Sequence, residues 1–501
     1  MLRFTVYNQG APAKAFDLDN AYLVSPDGAP MRGELRFAQG MIHCDTRSRG
    51  GAGLCVCWPV KGMGRIMLET TRLMDRNEPY NLHVELARGR LMRISQKRED
   101  WGLFDFDEGE SLYREVDEAR AKFVEALTAP DDATAARLAD DAIALSTAVG
   151  EKLSVFHADV FLKRRRAVPG QMAKRPFGCG LTAAQCNERC LTRFLDAFDF
   201  AVVPLRWRDI EPREGEQNWA TVEAQLKLLR QQKLHVRAAR LMSLDKRDLP
   251  DWAFLWEQDF DHVASAMEKV IKAAVKKFSG YVQMWEVATG LHSQNALHFS
   301  FEQIMELTRR AATMIKHYAP RSVALLGVTL PWGEYYAHDA QTIPPALYAE
   351  MAAQSGINFD AIGLEVRYHR DPTGLAVRDL MQISSMLDRY GNLGKPIHVT
   401  ASGIPSAGEA ADGGSWRGAW SEETQASWLR EFYRIALSKP FVETVAWDNL
   451  VDHQPSMTFD GALRTDLTGK PVFDQLSAIH REIVGPRAAA GAPAPKRPGG
   501  E

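Results

Sequence analysis

Cysteine is scarce in this chain of 501 residues, and its six copies are scattered as Cys44, Cys55, Cys57, Cys179, Cys186 and Cys190. That spread excludes the dense disulfide framework of small secreted domains. Cys186 and Cys190 are four apart, a spacing that would put both on one helix face, but no paired His or Cys set follows at finger spacing. Packed thiols are therefore expected, with no metal and no cofactor. A dominant charge of one sign is also missing: 61 Lys and Arg stand against 64 Asp and Glu, for a net charge of −3. Basic runs are short, as at Lys163 to Arg166, so nucleic acid is not an expected partner. No apolar stretch reaches the roughly 18 residues that cross a bilayer. The opening MLRFTVYNQG lacks the charged start, apolar centre and small-residue cleavage site of an export signal. A soluble, cytoplasmic protein without a membrane partner is the expectation.

The length calls for two or three units, one of them large. Residues 1–105 alternate short β-like runs such as GLCVCWPV and GRIMLETTRL with Gly and Pro-Asp-Gly punctuation, which predicts an antiparallel β-sandwich or jelly roll. Over 106–170 apolar residues recur at spacings of three and four, with APDD as a stop and a new start, which predicts a helical connector. From 171 to 485 eight apolar runs alternate with amphipathic stretches: FGCGL, FDFAVVPL, HVRAARLM, YVQMWEV, VALLGVTL, AIGLEVRY, IHVTASGI and TVAWDNL. Eight such repeats predict an α/β fold, a closed (β/α)8 TIM barrel with its working face at the carboxyl ends of the strands. The Pro-, Ala- and Gly-rich end at 486–501 reads as a disordered tail.

Several stretches, in their order, resemble glycoside hydrolase family 10, the β-1,4-xylanases. They are RWRDIEPREGEQNWATVEAQLKLLRQQKLHVRAARLM, LPDW, WEVATG, DAIGLEVRYH, KPIHVTASGI, TQASWLREFY, VAWDNLVD and GALRTDLTGKPVFDQL. The resemblance implies the same barrel, and it also shows what this sequence has lost. Where the family ends its fourth strand in Asn-Glu, the glutamate being general acid/base, this chain has Thr289 and Gly290. Where the seventh strand ends in Thr-Glu, with the nucleophile, it has Thr400 and Ala401. The family's sugar-reading positions are Val202, Val203, Ala239, Ser243, Glu365 and Arg367 here, while the framework persists at Arg206, Trp207, Trp285 and Trp447. The resemblance also implies that the sandwich would be a carbohydrate-binding module, although its one basic, Trp-ending segment, RLMRISQKREDW, fits a solvated face equally well.

Retaining hydrolysis needs two carboxyl groups roughly 5 to 5.5 Å apart, and neither Gly290 nor Ala401 supplies one. Relocated candidates at the carboxyl ends of other strands are Glu334, Glu365 and Asp448. Glu365 would equally serve as an internal ion pair with Arg367 or Arg240, and Glu286, deeper in its strand, as a buried structural acid. Trp332 and Tyr335, beside Glu334, would grip a sugar ring, with Arg367, Trp447 and the loop residues Trp416 and Trp420 as further binding candidates. Trp252, Trp256, His292, His298, Asp452 and His453 sit on nearby loops and are read as packing or ordinary hydrogen-bonding groups as readily as functional ones. Three readings follow. The first is a barrel that binds an oligosaccharide or polysaccharide fragment without family-type turnover; the second is a glycosidase with relocated carboxylates; the third is a scaffold for a protein partner.

Overall fold

The computed structural model describes residues 1–46, 50–103, 106, 109–368, 376–408, 413–452 and 459–485. The expected tail at 486–501 and His453 lie outside the described residues. Eight parallel strands close into a barrel in chain order: Phe177–Gly180 (β1), Phe200–Pro204 (β2), His235–Ala239 (β3), Met284–Thr289 (β4), Val323–Val328 (β5), Ala361–Arg367 (β6), Ile397–Gly403 (β7) and Val442–Trp447 (β8). β8 pairs back onto β1 through Phe177, Gly178 and Cys179. The strands read as apolar runs because both faces are covered, one by the barrel interior and one by helices; in β6 and β7 every residue is buried. Side-chain caps set the starts of the helices between them. Ser300 with Gln303 and Asp379 with Gln382 form capping boxes before Phe301–Tyr318 and Leu380–Gly391, satisfying amide donors that the first turn leaves open. All eight expected strands are present. β3 stops at Ala239 because Arg240 turns to φ +61°, where a strand cannot continue.

Upstream, Leu2–Thr5, Glu34–Ala38, Met41–Asp45 and Tyr80–Asn81 form one sheet. A second contains Tyr22–Val24, Pro30–Met31, Gly53–Val60, Gly64–Glu69 and, from the far end of the chain, Ser415–Trp416. The β region ends well before 105: Leu82–Asp100 (α1) is a helix and carries most of RLMRISQKREDW. The sequence hid it because its first turns are covered on several sides, with Leu82 through Ala87 all buried, so no single apolar stripe marks it. Glu110–Leu127 (α2) and Asp132–Ala167 (α3) follow as expected, Asp131 capping α3 through the Thr134 amide. α3 packs on both α1 and α2.

The upstream sheets are built into the barrel. Ser415–Trp416, from the loop after β7, adds antiparallel to Gly64 and Arg65. Gly414, at φ +92°, permits this, since a Cβ there would meet the Arg65 carbonyl oxygen at 2.0 Å. Arg90 of α1 grips Asp379, after β6, through two bonds of 2.6 and 3.0 Å, both side chains buried. Glu151 of α3 accepts from the Trp416 indole at 2.7 Å and from Arg417. One apolar cluster runs from Phe4 and Trp58 through to Trp285 and Trp447. The upstream region thus shares its core with the β5 to β7 side of the barrel.

Candidate functional site

The carboxyl end of β4 leads into a tight turn. Gly290 sits at φ +64°, and a Cβ there would lie 2.7 Å from Thr329 Oγ1 and 3.0 Å from its Cγ2. Ser293 Oγ donates to the Gly290 carbonyl at 3.1 Å and meets Thr329 Oγ1 at 2.6 Å. His292 is fully buried below, its Nε2–H donating to the Thr329 carbonyl at 3.0 Å while its ring stacks on Tyr348. Thr329 and Ser293 occupy the space that a side chain at 290 would enter. Gly290→Ala is accordingly expected to lower unfolding free energy by about 1–3 kcal/mol, from a left-handed backbone and an overpacked contact together. Denaturant titration checks this; a change within about 0.3 kcal/mol would mean that the turn is not tightly packed.

Around the rest of the mouth, carboxylates and guanidinium groups interleave. Glu365 of β6, opposite Ala401 in register, accepts from Arg367, which also reaches Asp448 beyond β8 at 3.3 Å. A single cation therefore bridges the two carboxylates that the sequence offered as relocated candidates. Beneath them Arg237 of β3 is wholly buried; it donates to the Thr400 carbonyl and its Nε lies 3.4 Å from Glu286. Glu286 also accepts from Thr289 Oγ1 at 2.8 Å, and burial raises its pKa against the pull of Arg237. It is a structural acid of the barrel interior. Arg240, at its left-handed φ, donates to Asp248 at 2.9 Å, and Asp248 also lies 3.3 Å from Arg206 Nε. Asp245, bonded by Arg247, has its pKa lowered although burial opposes this. A non-glycine residue held at positive φ at a strand end points to a constrained site.

These residues enclose a cavity of about 160 Å³ lined by Val202, Ala239, Arg206, Arg240, Arg367 and Asp448, among others. Typical small-molecule sites measure roughly 300–1,000 Å³, so this one has room for about one sugar ring and not for a chain. Arg240 and Asp248 contribute as much to it as the residues that the sequence singled out. The charge-rich SLDKRDLPDW after β3 was the signal for Asp248.

The other candidates fall elsewhere. Glu334 is 1% exposed and accepts from Arg378 at 2.6 Å, under Tyr22 of the upstream sheet. Tyr335 is buried and its hydroxyl donates to the Ile343 carbonyl. Trp416, Trp420 and Trp447 are buried, Trp447 donating to the Asp460 carbonyl at 3.1 Å. These aromatics hold loops and core together instead of facing a cleft. Trp252 donates to the Glu211 carbonyl and packs edge-on to Trp207, Trp256 stacks on His262, and His298 is exposed. Asp452 pairs with buried Lys470 at 2.7 Å. Trp332 is partly exposed, but in a different groove. Cys186 ends a short turn ahead of the helix Glu188–Ala197 that carries Cys190, so the two do not share a helix face. Among the described residues no group of three or more His, Cys, Asp or Glu could hold a metal ion, and no helix is long and apolar enough to cross a membrane.

Comparison with known proteins adds a family to this geometry. Residues 201–455, about half of the chain, match the model for glycosyl hydrolase family 10. A GH10 structure from Paenibacillus barcinonensis is similar at a TM-score of 0.48 and 16% identity, covering 63% of this chain and 97% of that one. Native xylanase 10B from Thermotoga maritima gives 0.49 and 15%, over 62% and 96%. A xylanase 10C mutant from Cellvibrio japonicus, in complex with xylopentaose, gives 0.50 and 11%, over 64% and 69%. No curated protein sequence matches. At such identities the structural likeness speaks to the fold alone.

Proposed function

This chain belongs to glycosyl hydrolase family 10, and from that premise we propose that it binds carbohydrate at the barrel mouth without hydrolysing it. The observation that carries the reading is the bridge of Arg367 between Glu365 and Asp448. Retaining and inverting mechanisms alike need one carboxyl group to donate a proton and a second to attack or to activate water. Here the two relocated candidates, Glu365 and Asp448, are both engaged by the guanidinium of Arg367, which ties them together as ion-pair partners. The sequence resemblance puts the family's two catalytic positions at Gly290, which is packed against Thr329, and at Ala401. What is left suits binding. Alternating Arg and Asp side chains present fixed donors and acceptors to the hydroxyls of one ring, and their mutual ion pairs hold the forks in place.

The size of the cavity favours the end of a glycan over its middle, so a short oligosaccharide or the terminus of a longer one is the partner of choice. Calorimetry with a panel of mono- and oligosaccharides, xylose and xylobiose included, tests it. Binding is expected for at least one sugar, weakened about tenfold by Arg240→Met, which removes a charge-assisted bond while keeping the stem. Absence of binding by every sugar would transfer the reading to a protein-docking scaffold. Sugar release abolished by Glu365→Gln would transfer it to relocated catalysis.

A further inference from the structure

Between the upstream sheet, α1 and the helix Leu380–Gly391 runs an open groove of about 860 Å³, several times the volume of the mouth cavity. It lies at a junction of two structural units, where ligand sites concentrate, and falls within the usual size range of such sites. Its walls are not apolar. Arg72 and Arg93 share one carboxylate, Glu69, at 2.5 and 2.6 Å, which leaves one positive charge in excess. Arg389 is exposed at the rim and donates to the Gly28 carbonyl at 3.2 Å, with the Asp27 carboxylate near enough to feel its charge. Lys97 is compensated by Asp388 and Asp100. The groove therefore carries surplus positive charge at the Arg72–Arg93 pair and an exposed guanidinium at Arg389, unlike the mouth, where Arg and Asp alternate.

The same groove holds Trp332, a partly exposed aromatic after β5. Its indole is braced by the buried Arg378 guanidinium, 5.1 Å from the ring centroid, and Arg378 is itself fixed by Glu334 and Tyr22. A rigid aromatic ring offers sugar rings a stacking platform, and arginine forks offer carboxylate or sulfate groups paired donors. Gln96 and Ser385 add polar groups along the walls. We infer that this groove binds an acidic oligosaccharide, with a sugar ring on Trp332 and its anionic groups at Arg389 and at the Arg72–Arg93 pair. The site is independent of the barrel mouth and stands whether or not the mouth holds sugar.

The test is calorimetry on the full chain with a galacturonic acid trimer, xylotriose as a neutral trimer, and a short single-stranded oligonucleotide as a non-sugar polyanion. The acidic trimer is expected to bind at least about tenfold more tightly than xylotriose and to weaken as salt rises. Arg389→Glu, an exposed change that leaves the core intact, is expected to lower its affinity about tenfold or more. Trp332→Leu, with folding verified by circular dichroism, is expected to do the same, while Arg240→Met at the mouth leaves it unchanged. Any one of three results overturns the inference: no binding of the acidic trimer, wild-type affinity in both groove variants, or an oligonucleotide that binds as tightly.

Discussion

Arg378→Ala is expected to lower the free energy of unfolding by about 3–5 kcal/mol, the scale of a buried ion pair with one partner removed. Arg378 and Glu334 are both essentially inaccessible, and the guanidinium also bonds the Ala376 carbonyl and the Tyr22 hydroxyl. Deleting it strands a carboxylate beneath the upstream sheet, where water cannot reach it, and unseats Trp332. The double change Arg378→Met with Glu334→Met is expected to recover much of the loss, because replacing both charges by apolar groups removes the desolvation cost as well as the attraction. Denaturant unfolding of the two variants checks both statements. A loss below about 1 kcal/mol, the value of an exposed pair, would contradict the shared core between sheet and barrel.

Acidification is expected to destabilise the fold strongly through two buried histidines. Burial pushes the His292 pKa down to about 4 and that of His157 to about 3, from an ordinary 6.5. The causes are visible. His292 donates from Nε2 to Thr329, and its Nδ1 is enclosed with no hydrogen-bond partner, so a second proton would create an unpaired buried donor. His157 is stacked between Trp101 and Phe161, with Lys439 and Lys97 also disfavouring a charge and Asp388 only partly offsetting them. As pH falls below about 6.5, the unfolded chain takes up these protons while the folded chain does not, so stability drops as pH falls. Between pH 6.5 and 4 each histidine contributes a loss on the order of 3 kcal/mol, at about 1.4 kcal/mol per pH unit. Unfolding curves at several pH values are expected to show this decline, and His157→Phe, which keeps the ring stack, to remove roughly half of the histidine part. A variant slope equal to wild type would mean that His157 is protonated in the folded state.

Much of the barrel was legible because its strands are short apolar runs bounded by helices with clear caps, and each predicted run overlaps the observed strand, although the fourth strand runs on to Thr289 and the eighth begins earlier, at Val442. The upstream helix α1 was not legible, since burial on several sides erased its periodicity. The mouth was legible in part. The resemblance puts Gly290 and Ala401 where the family carries its glutamates, and from sequence Glu365 reads either as a relocated catalytic group or as an ion-pair partner of Arg367 or Arg240; the bridge on to Asp448 required the folded barrel, because β6 and β8 are far apart in sequence. Glu334, Tyr335, Trp416 and Trp420 looked like loop residues at a working face. Sequence could not reveal that the upstream sheets cover that side of the barrel, which turns those residues into an interface and leaves Trp332 facing a groove.

The proposal that this barrel does not hydrolyse glycosides by the family's mechanism is tested most directly by reducing-end release from xylo-oligosaccharides and aryl glycosides, comparing wild type with Glu365→Gln and Asp448→Asn. All three proteins are expected to match the uncatalysed background over the pH range in which the protein stays folded. Release by wild type that either substitution abolishes would show that the two carboxylates bridged by Arg367 are a working catalytic pair.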